Sequence, residues 1–304
     1  MSDEILVADT LQRSADRQAG TLEHPREQWE SEVRLIAPPR LGDLWSDLRS
    51  VPFYLPLFKV LVWRAISLRY AQSYFGLLWV VVQPIATTII VFFMFGIIRA
   101  KTSDGSNQGL FLFSGIMTWQ LFARGLTDVN NSLLSHAGIL TKIYLPKVIL
   151  PFAMTVATWF DTLIMIILLI LVCVLLGSPL SERVLLLPVF LFLVSLAGLA
   201  VGLGLAPVNA LFRDIGVVLP LLLQFGMYAS PVFYAASFIP DRWTTLYHLN
   251  PMASLIEGVR WSVLPESPAP DLTFLTINIL SIVLMLTISI VVFKKLESIV
   301  IDRI

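Results

Sequence analysis

The stretch LLWVVVQPIATTIIVFFMFGII, Leu77–Ile98, contains no charged side chain. A helix of about 20 residues at 1.5 Å per residue crosses a hydrocarbon core about 30 Å thick. In that solvent every backbone N–H and C=O must be paired within the segment, so an apolar run of this length reads as a spanning helix. Five further runs of similar character follow: Leu110–Val129, Ile149–Leu176, Val184–Ala206, Ile215–Phe233 and Leu272–Phe293. Together they predict an all-α integral membrane protein with six transmembrane helices.

Composition agrees. The chain is 57% hydrophobic and 14% charged, far from a soluble average. A formal net charge of zero argues against nucleic acid as a partner. The single cysteine, Cys173, falls inside the third run, where a small core residue is expected. Met1–Arg40 is polar and mixed in charge, without the apolar core of a signal peptide, and reads as a flexible cytoplasmic tail. The spanning domain is then 41–304.

Positive charges set the orientation. Lys59, Arg64 and Arg69 precede the first run, Lys142 and Lys147 the third, Arg213 the fifth, and Lys294, Lys295 and Arg303 follow or close the last. Only Arg99, Lys101, Arg183, Arg242 and Arg260 fall on the other side. The positive-inside rule therefore places both termini in the cytoplasm.

Between the runs lie shorter patterned pieces. In Leu41–Arg49 the residues Leu41, Leu44, Trp45 and Leu48 recur at helical spacing opposite Asp43, Ser46 and Asp47, an amphipathic helix for the membrane surface. In Pro52–Tyr70 the cations Lys59, Arg64 and Arg69 are spaced by five, about 140° apart on a helix, so they do not share a face. A helix wedged between headgroups and another protein element fits that pattern. Asn130–Leu150 accommodates a short cytoplasmic helix and a proline-controlled turn. Outside, Tyr234–Asp271 predicts two short amphipathic helices. One opens at Pro240-Asp241 and carries Trp243, Leu246 and Tyr247. The other is capped by Asn250 with Pro251 at its first position, and carries Leu255, Ile256 and Val259. With Trp243 and Trp261 they suit the outer headgroup layer, either as a re-entrant gate or as a surface anchor.

Chemistry of the catalytic kind is sparse. No G-x-x-x-x-G-K-[ST] phosphate loop and no H-E-x-x-H pattern occurs, and His24, His136 and His248 are isolated. Arg124 and Asp128 are four apart on one face of the second run and can pair. Asp161 falls near the middle of the third run, where an unpaired charge costs about 2.5–3.5 kcal/mol or more. Arg124 lies within about one helical turn of the same depth, which predicts an Arg124–Asp161 ion pair. A helix-positioning pair is the reading favoured over a proton path, because an ion-coupled carrier would show broken helices and several such charges. A glycosyltransferase would need carboxylates at metal-ligand spacing, and none is evident.

Arg69-Tyr70, Ser73-Tyr74-Phe75-Gly76-Leu77-Leu78-Trp79 and Gln83-Pro84 resemble the entry into the first span of type-2 ABC exporter permeases, of the branch that exports O-antigen, capsule and teichoic acid chains. Lys142 to Pro151, Phe212-Arg213-Asp214-Ile215, Ser230-Pro231-Val232-Phe233-Tyr234 and Asn250-Pro251 match in the same order, covering about Leu41 to Ile304. The resemblance implies a homodimer in the bacterial inner membrane, working with two copies of a separate ATP-binding subunit that holds ATP and magnesium. It implies a lipid-linked polysaccharide as cargo, moving through a channel between the copies. Trp79, Phe93, Tyr228 and Tyr234 are the implied lining; Ser135, His136, Lys142, Lys147, Arg213 and Asp214 the implied contacts or supports for the ATPase; Trp243, Tyr247 and Trp261 the implied external gate. An exporter of lipids or drugs is the competing expectation within the same class.

Overall fold

Among the described residues the regular structure is entirely helical. The computed structural model describes residues 54–70, 76, 78–97, 107–140 and 146–301, and the described residues belong to one compact unit. Two expectations, the tail 1–40 and the amphipathic helix Leu41–Arg49, lie outside them, as does Lys142.

Helix α1 (Leu55–Tyr70) is not a floating surface helix. Leu61 and Ala65 are buried, and Leu57, Phe58, Val62 and Ile66 pack beside them. The five-residue spacing of its cations explains the rest: Lys59 and Arg64 are exposed, while Arg69 turns inward. Val60 and Trp63 stay exposed away from that side, a face suited to lipid.

Helix α2 (Leu78–Ile97) buries a narrow stripe, Val80, Pro84 and Thr88, against α3 (Gln108–Asn130). Asn107 caps α3, its side chain accepting from the amides of Gly109 and Leu110. Two single turns, α4 (Ser132–Ser135) and α5 (Ala137–Leu140), follow at its far end. Next comes α6 (Ile149–Leu175), closed by Gly177 at φ 68°, a left-handed position that favours glycine. There Ser178 N–H donates to Cys173 O and Gly177 N–H to Val174 O, satisfying the last carbonyls.

A 3-10 turn, Glu182–Leu186, runs directly into α7 (Leu187–Leu211), the central helix of the fold. It packs on α3 along one side and on α11 (Leu272–Ile301) along another. Close approach to α3 depends on Gly198 and Gly202: a Cβ on Gly202 would lie 2.8 Å from Leu126 O and from Val129. This small-xxx-small spacing is a packing device of membrane helices, where hydrophobic burial alone does not drive helix against helix. On the α11 side Ser289 Oγ donates to Ala200 O at 2.5 Å.

Helix α8 (Asp214–Ala229) stops four residues before the end of the apolar run, because Ser230 turns extended and Pro231 has no N–H to continue. Its 16 residues span about 24 Å. Then come α9 (Asp241–His248) and α10 (Pro251–Val263). Among the described residues, four segments are long and apolar enough to cross a membrane: Leu78–Ile97, Ile149–Leu175, Glu182–Leu211 and Leu272–Glu297. Of the other two expected spans, α3 is long enough but carries Gln108, Gln120, Arg124 and Asp128, and α8 is apolar but short.

The expected form of α10 needs correction. It begins as anticipated, with Asn250 Oδ1 accepting from Met252 N–H at 3.0 Å and Pro251 at the first position. It is not an amphipathic surface helix, however. Leu255, Ile256 and Val259 are buried, and so are Ser254, Arg260 and Ser262 on its polar side. Gly258 makes this possible, since the ring of Phe190 from α7 occupies the space of a side chain there.

Candidate functional site

Asp161 on α6 is 1% exposed and is the hub of a polar cluster joining four helices. Arg69 from α1 reaches it with Nη1 at 2.6 Å, and Arg69 Nη2 reaches Asp128 Oδ2 on α3 at 2.5 Å. Arg124 Nη1, also on α3, stands 3.4 Å from Asp161 Oδ2, and its Nη2 donates to Gln83 Oε1 on α2 at 3.2 Å. Tyr70 donates its hydroxyl to Asp161 Oδ1. Arg69 Nη2 also donates to Thr158 Oγ1 at 3.3 Å, one turn before Asp161. Two guanidinium groups face two carboxylates, so the cluster is neutral, as a low-dielectric site demands. Burial, and then Asp161 beside it, hold the Tyr70 phenol far above its usual pKa, so it remains a donor.

Arg124 and Asp161 do come together, but the shorter ion pair to Asp161 is from Arg69, and among the described residues Asp128 forms its ion pair with Arg69 rather than with Arg124. The signal for Arg69 was charge balance: Arg124, Asp128 and Asp161 sum to minus one, and a further cation was required. Chemically the cluster is a clamp. It fixes the end of α1 to α2, α3 and α6, so that displacement of α1 pulls on three helices at once.

On the loop side, His136 is buried, its Nδ1 3.0 Å from Ser132 O and 3.1 Å from Ser135 Oγ. Burial, assisted by Arg64 of α1, lowers its pKa against the raising effect of the Ser132 carbonyl, so the ring is neutral at pH 7. Ser135 is exposed. Lys147 is buried and donates from Nζ to Glu297 O at 3.2 Å, which ties the loop to α11. Asn209 Nδ2 donates to Asn131 Oδ1 at 3.1 Å and joins the ends of α7 and α3. Arg213 and Asp214 are exposed at the α7–α8 turn, with no ion pair between them among the described residues; Asp214 occupies the first turn of α8, where its charge favours the helix dipole.

The lining candidates divide. Trp79 and Phe93 on α2 and Tyr228 on α8 are all more than half exposed. They belong to broad uncovered apolar faces that also carry Ile90 and Ile97 on α2 and Val217, Leu221 and Phe225 on α8. Tyr234 is half-buried against the core, and its hydroxyl donates to Ala229 O at 3.3 Å.

Of the outer candidates, Trp243 is exposed beneath Arg242, and Trp261 is half-buried beneath Arg183 at 5.3 Å. Tyr247 is buried and donates to Glu257 Oε1 at 2.8 Å. Burial raises the Glu257 carboxyl above the usual carboxylate range. Its neighbour Arg260 is the residue the sequence did not single out. It is 3% exposed, its Nη2 and Nη1 donate to Val232 O at 2.8 Å and Tyr234 O at 3.3 Å, and its guanidinium lies 3.5 Å from the centre of the Phe111 ring. Burial pulls its pKa down to about 9, which leaves it charged at neutral pH.

Residues 56–264, most of this helical frame, match the model of the ABC-2 type transporter family. The chain belongs to the ABC-2 type transporter family. It is 23% identical over 246 residues to the O-antigen export system permease protein RfbA of Klebsiella pneumoniae, covering 81% of this chain and 93% of that protein. A protein of the same description from Myxococcus xanthus is 26% identical over 226 residues, 74% of this chain and 86% of that one. The polysialic acid transport protein KpsM of Escherichia coli is 24% identical over 216 residues, 68% and 81%. In this ABC-2 type transporter chain the matched region contains the whole clamp, from Arg69 to Asp161.

Proposed function

We propose that this chain is the membrane subunit of an ATP-driven exporter that moves a lipid-linked polysaccharide, of the O-antigen or capsule type, out of the cytoplasm across the bacterial inner membrane. The observation that carries the reading is the alignment with permeases named for O-antigen export and polysialic acid transport over 81–93% of their length. In this reading α2, α3, α6, α7, α8 and α11 make six crossings and both termini are cytoplasmic. Re-entrant α9 and α10 form the outer gate with Trp243, Tyr247 and Trp261.

Two copies pair through the uncovered faces of α2 and α8. The exposure of those faces supports this, because an apolar surface of that extent needs lipid or protein over it. Trp79, Phe93 and Tyr228, with Tyr234 at the outer end, then border the channel. Flat apolar rings suit the C–H faces of sugars and let a chain slide without tight binding. The sequence contains no phosphate-binding loop, so ATP and magnesium are assigned to a separate pair of ATP-binding subunits and no step involving them is placed on this chain. Those subunits press on α1 and on the segment from Ser135 and His136 through Lys142 to Lys147, with Arg213 and Asp214 at a second contact. The clamp at Arg69 and Asp161 transmits the displacement inward.

Trp79→Ala tests the channel. Polymer export, measured as surface glycan in cells, falls at least about tenfold while the complex with the ATPase assembles normally. Loss of assembly with the glycan defect would make Trp79 a packing residue and contradict the lining.

A further inference from the structure

The clamp ties α1 to α2, α3 and α6, and none of its residues lies on α8. Along the 16 residues of α8 one side chain, Leu219, is buried within its own protomer. Its outer end is pinned: Gly226 lies against the Trp119 ring, where a Cβ would stand 2.9 Å from the indole, and Ser230 Oγ accepts from Asn250 Nδ2 at 2.9 Å. A rod held at one end and lightly packed along its length tilts when its other end is pushed, because little packing absorbs the displacement.

That other end meets Asn209, near the close of α7. Asn209 is 1% exposed, and its amide touches three elements. Nδ2 donates to Asn131 Oδ1 at 3.1 Å and to Asn130 O at 3.3 Å, both at the end of α3. Asn131 in turn accepts at its backbone O from Ser135 N–H at 3.0 Å and from Ser135 Oγ at 2.8 Å, so it holds the turn Ser132–Ser135. Asn209 Oδ1 faces α8, where a Cβ on Gly216 would stand 3.3 Å from it. Ser135, Asn131, Asn209 and Gly216 therefore connect the loop to the first turn of α8 in three contacts. Oδ1 itself accepts no hydrogen bond among the described residues, a cost that an apolar side chain of the same size would avoid. Stability alone does not call for an amide there; a directional link between two elements does.

We infer that Asn209 is a positioning residue that carries displacement of the turn Ser132–Ser135 to the start of α8, by a route separate from the clamp. The inference rests on the exporter reading, which supplies the push on the turn and the channel role of α8.

Hydrogen–deuterium exchange mass spectrometry tests it on the full chain assembled with its ATP-binding subunits in nanodiscs, without nucleotide and with adenylyl imidodiphosphate and magnesium. In the unaltered complex nucleotide changes amide exchange at least about fivefold both in 131–135 and in 214–222. In Asn209→Leu the response at 131–135 stays and the response at 214–222 is lost. Asn131→Ala, at an exposed position, keeps the backbone of the turn but removes its Oδ1; it weakens the response at 214–222 to a smaller degree, because Asn209 retains Asn130 O. A response at 214–222 unchanged in Asn209→Leu overturns the relay. So does exchange raised in both segments with and without nucleotide, together with a lower melting temperature, which is what a merely structural residue gives. Surface glycan in cells carrying the unaltered chain separates the two failures. Glycan export with an unchanged 214–222 response in Asn209→Leu removes the relay alone, whereas a chain that exports none contradicts the exporter reading and the relay with it.

Discussion

Removing the carboxylate of Asp161 strands two guanidinium groups, and the structure sets how much that costs. Breaking one side of a buried ion pair typically costs about 3–5 kcal/mol. Here Arg69 retains Asp128 at 2.5 Å and Arg124 retains Gln83 at 3.2 Å, so Asp161→Leu falls at the low end, about 3 kcal/mol. Arg69→Met costs about as much, because Asp128 loses its ion pair and Asp161 keeps Arg124 at 3.4 Å as its one cation, beside the Tyr70 hydroxyl. The double variant behaves differently. It leaves Arg124 and Asp128, one charge of each sign, four apart on α3 and free to pair. The pair of substitutions therefore costs about 2 kcal/mol or more less than the sum of the singles. At about 2–4 °C per kcal/mol, each single variant lowers the apparent melting temperature in detergent by roughly 6–12 °C, and the double recovers much of that. Additive losses, with coupling below about 0.5 kcal/mol, would refute the clamp as a cooperative unit. The Asp161→Arg, Arg124→Asp exchange is not expected to rescue either change, since it sets a new guanidinium against Arg69.

Two other consequences are open to direct test. Gly258→Ala drives a Cβ to 2.2 Å from the Phe190 ring and destabilises by about 1–3 kcal/mol, while Phe190→Leu in the same chain restores most of the loss; no rescue in thermal unfolding would mean that α10 and α7 do not meet there. His136 has a folded-state pKa below its unfolded value of about 6.5, so the docking it provides is complete above pH 6.5 and weakens as pH falls toward the folded value. Protease cleavage within 132–140, compared at pH 7.5 and pH 5.5, should increase at the lower pH in the native protein but not in His136→Gln; equal acceleration in both would place the titrating group elsewhere.

The four apolar segments that are long enough to cross a membrane were readable because a membrane helix must satisfy its own backbone, which imposes a length and a composition on local sequence. Helix ends were less so. Pro231 carries the information that α8 stops early, yet apolar residues continue to Phe233 and hide the break. The approach of Arg124 to Asp161 followed from depth along two helices, a quantity that sequence contains. Arg69 lay outside any apolar run and 92 residues from Asp161, and only the unbalanced charge of the other three members pointed to it. For α10, Asn250 and Pro251 announced the start, whereas its burial depends on Phe190 filling the space above Gly258 and on Arg260 bonding the Val232 and Tyr234 carbonyls. Those partners come from distant segments, and an arginine within a short outer helix looks on sequence alone like a surface residue. Trp79, Phe93 and Tyr228 could be selected as aromatic, but their common exposure on α2 and α8 emerges only from which stripe of each helix the neighbours cover.

The most direct test of the exporter reading is native mass spectrometry of the protein extracted from its own membrane, with ATP turnover measured on the same sample. The account predicts a complex of two copies of this chain with two ATP-binding subunits, whose turnover rises when lipid-linked glycan is added. Recovery of the chain without a nucleotide-binding partner, or of a complex whose turnover ignores the glycan, would contradict it.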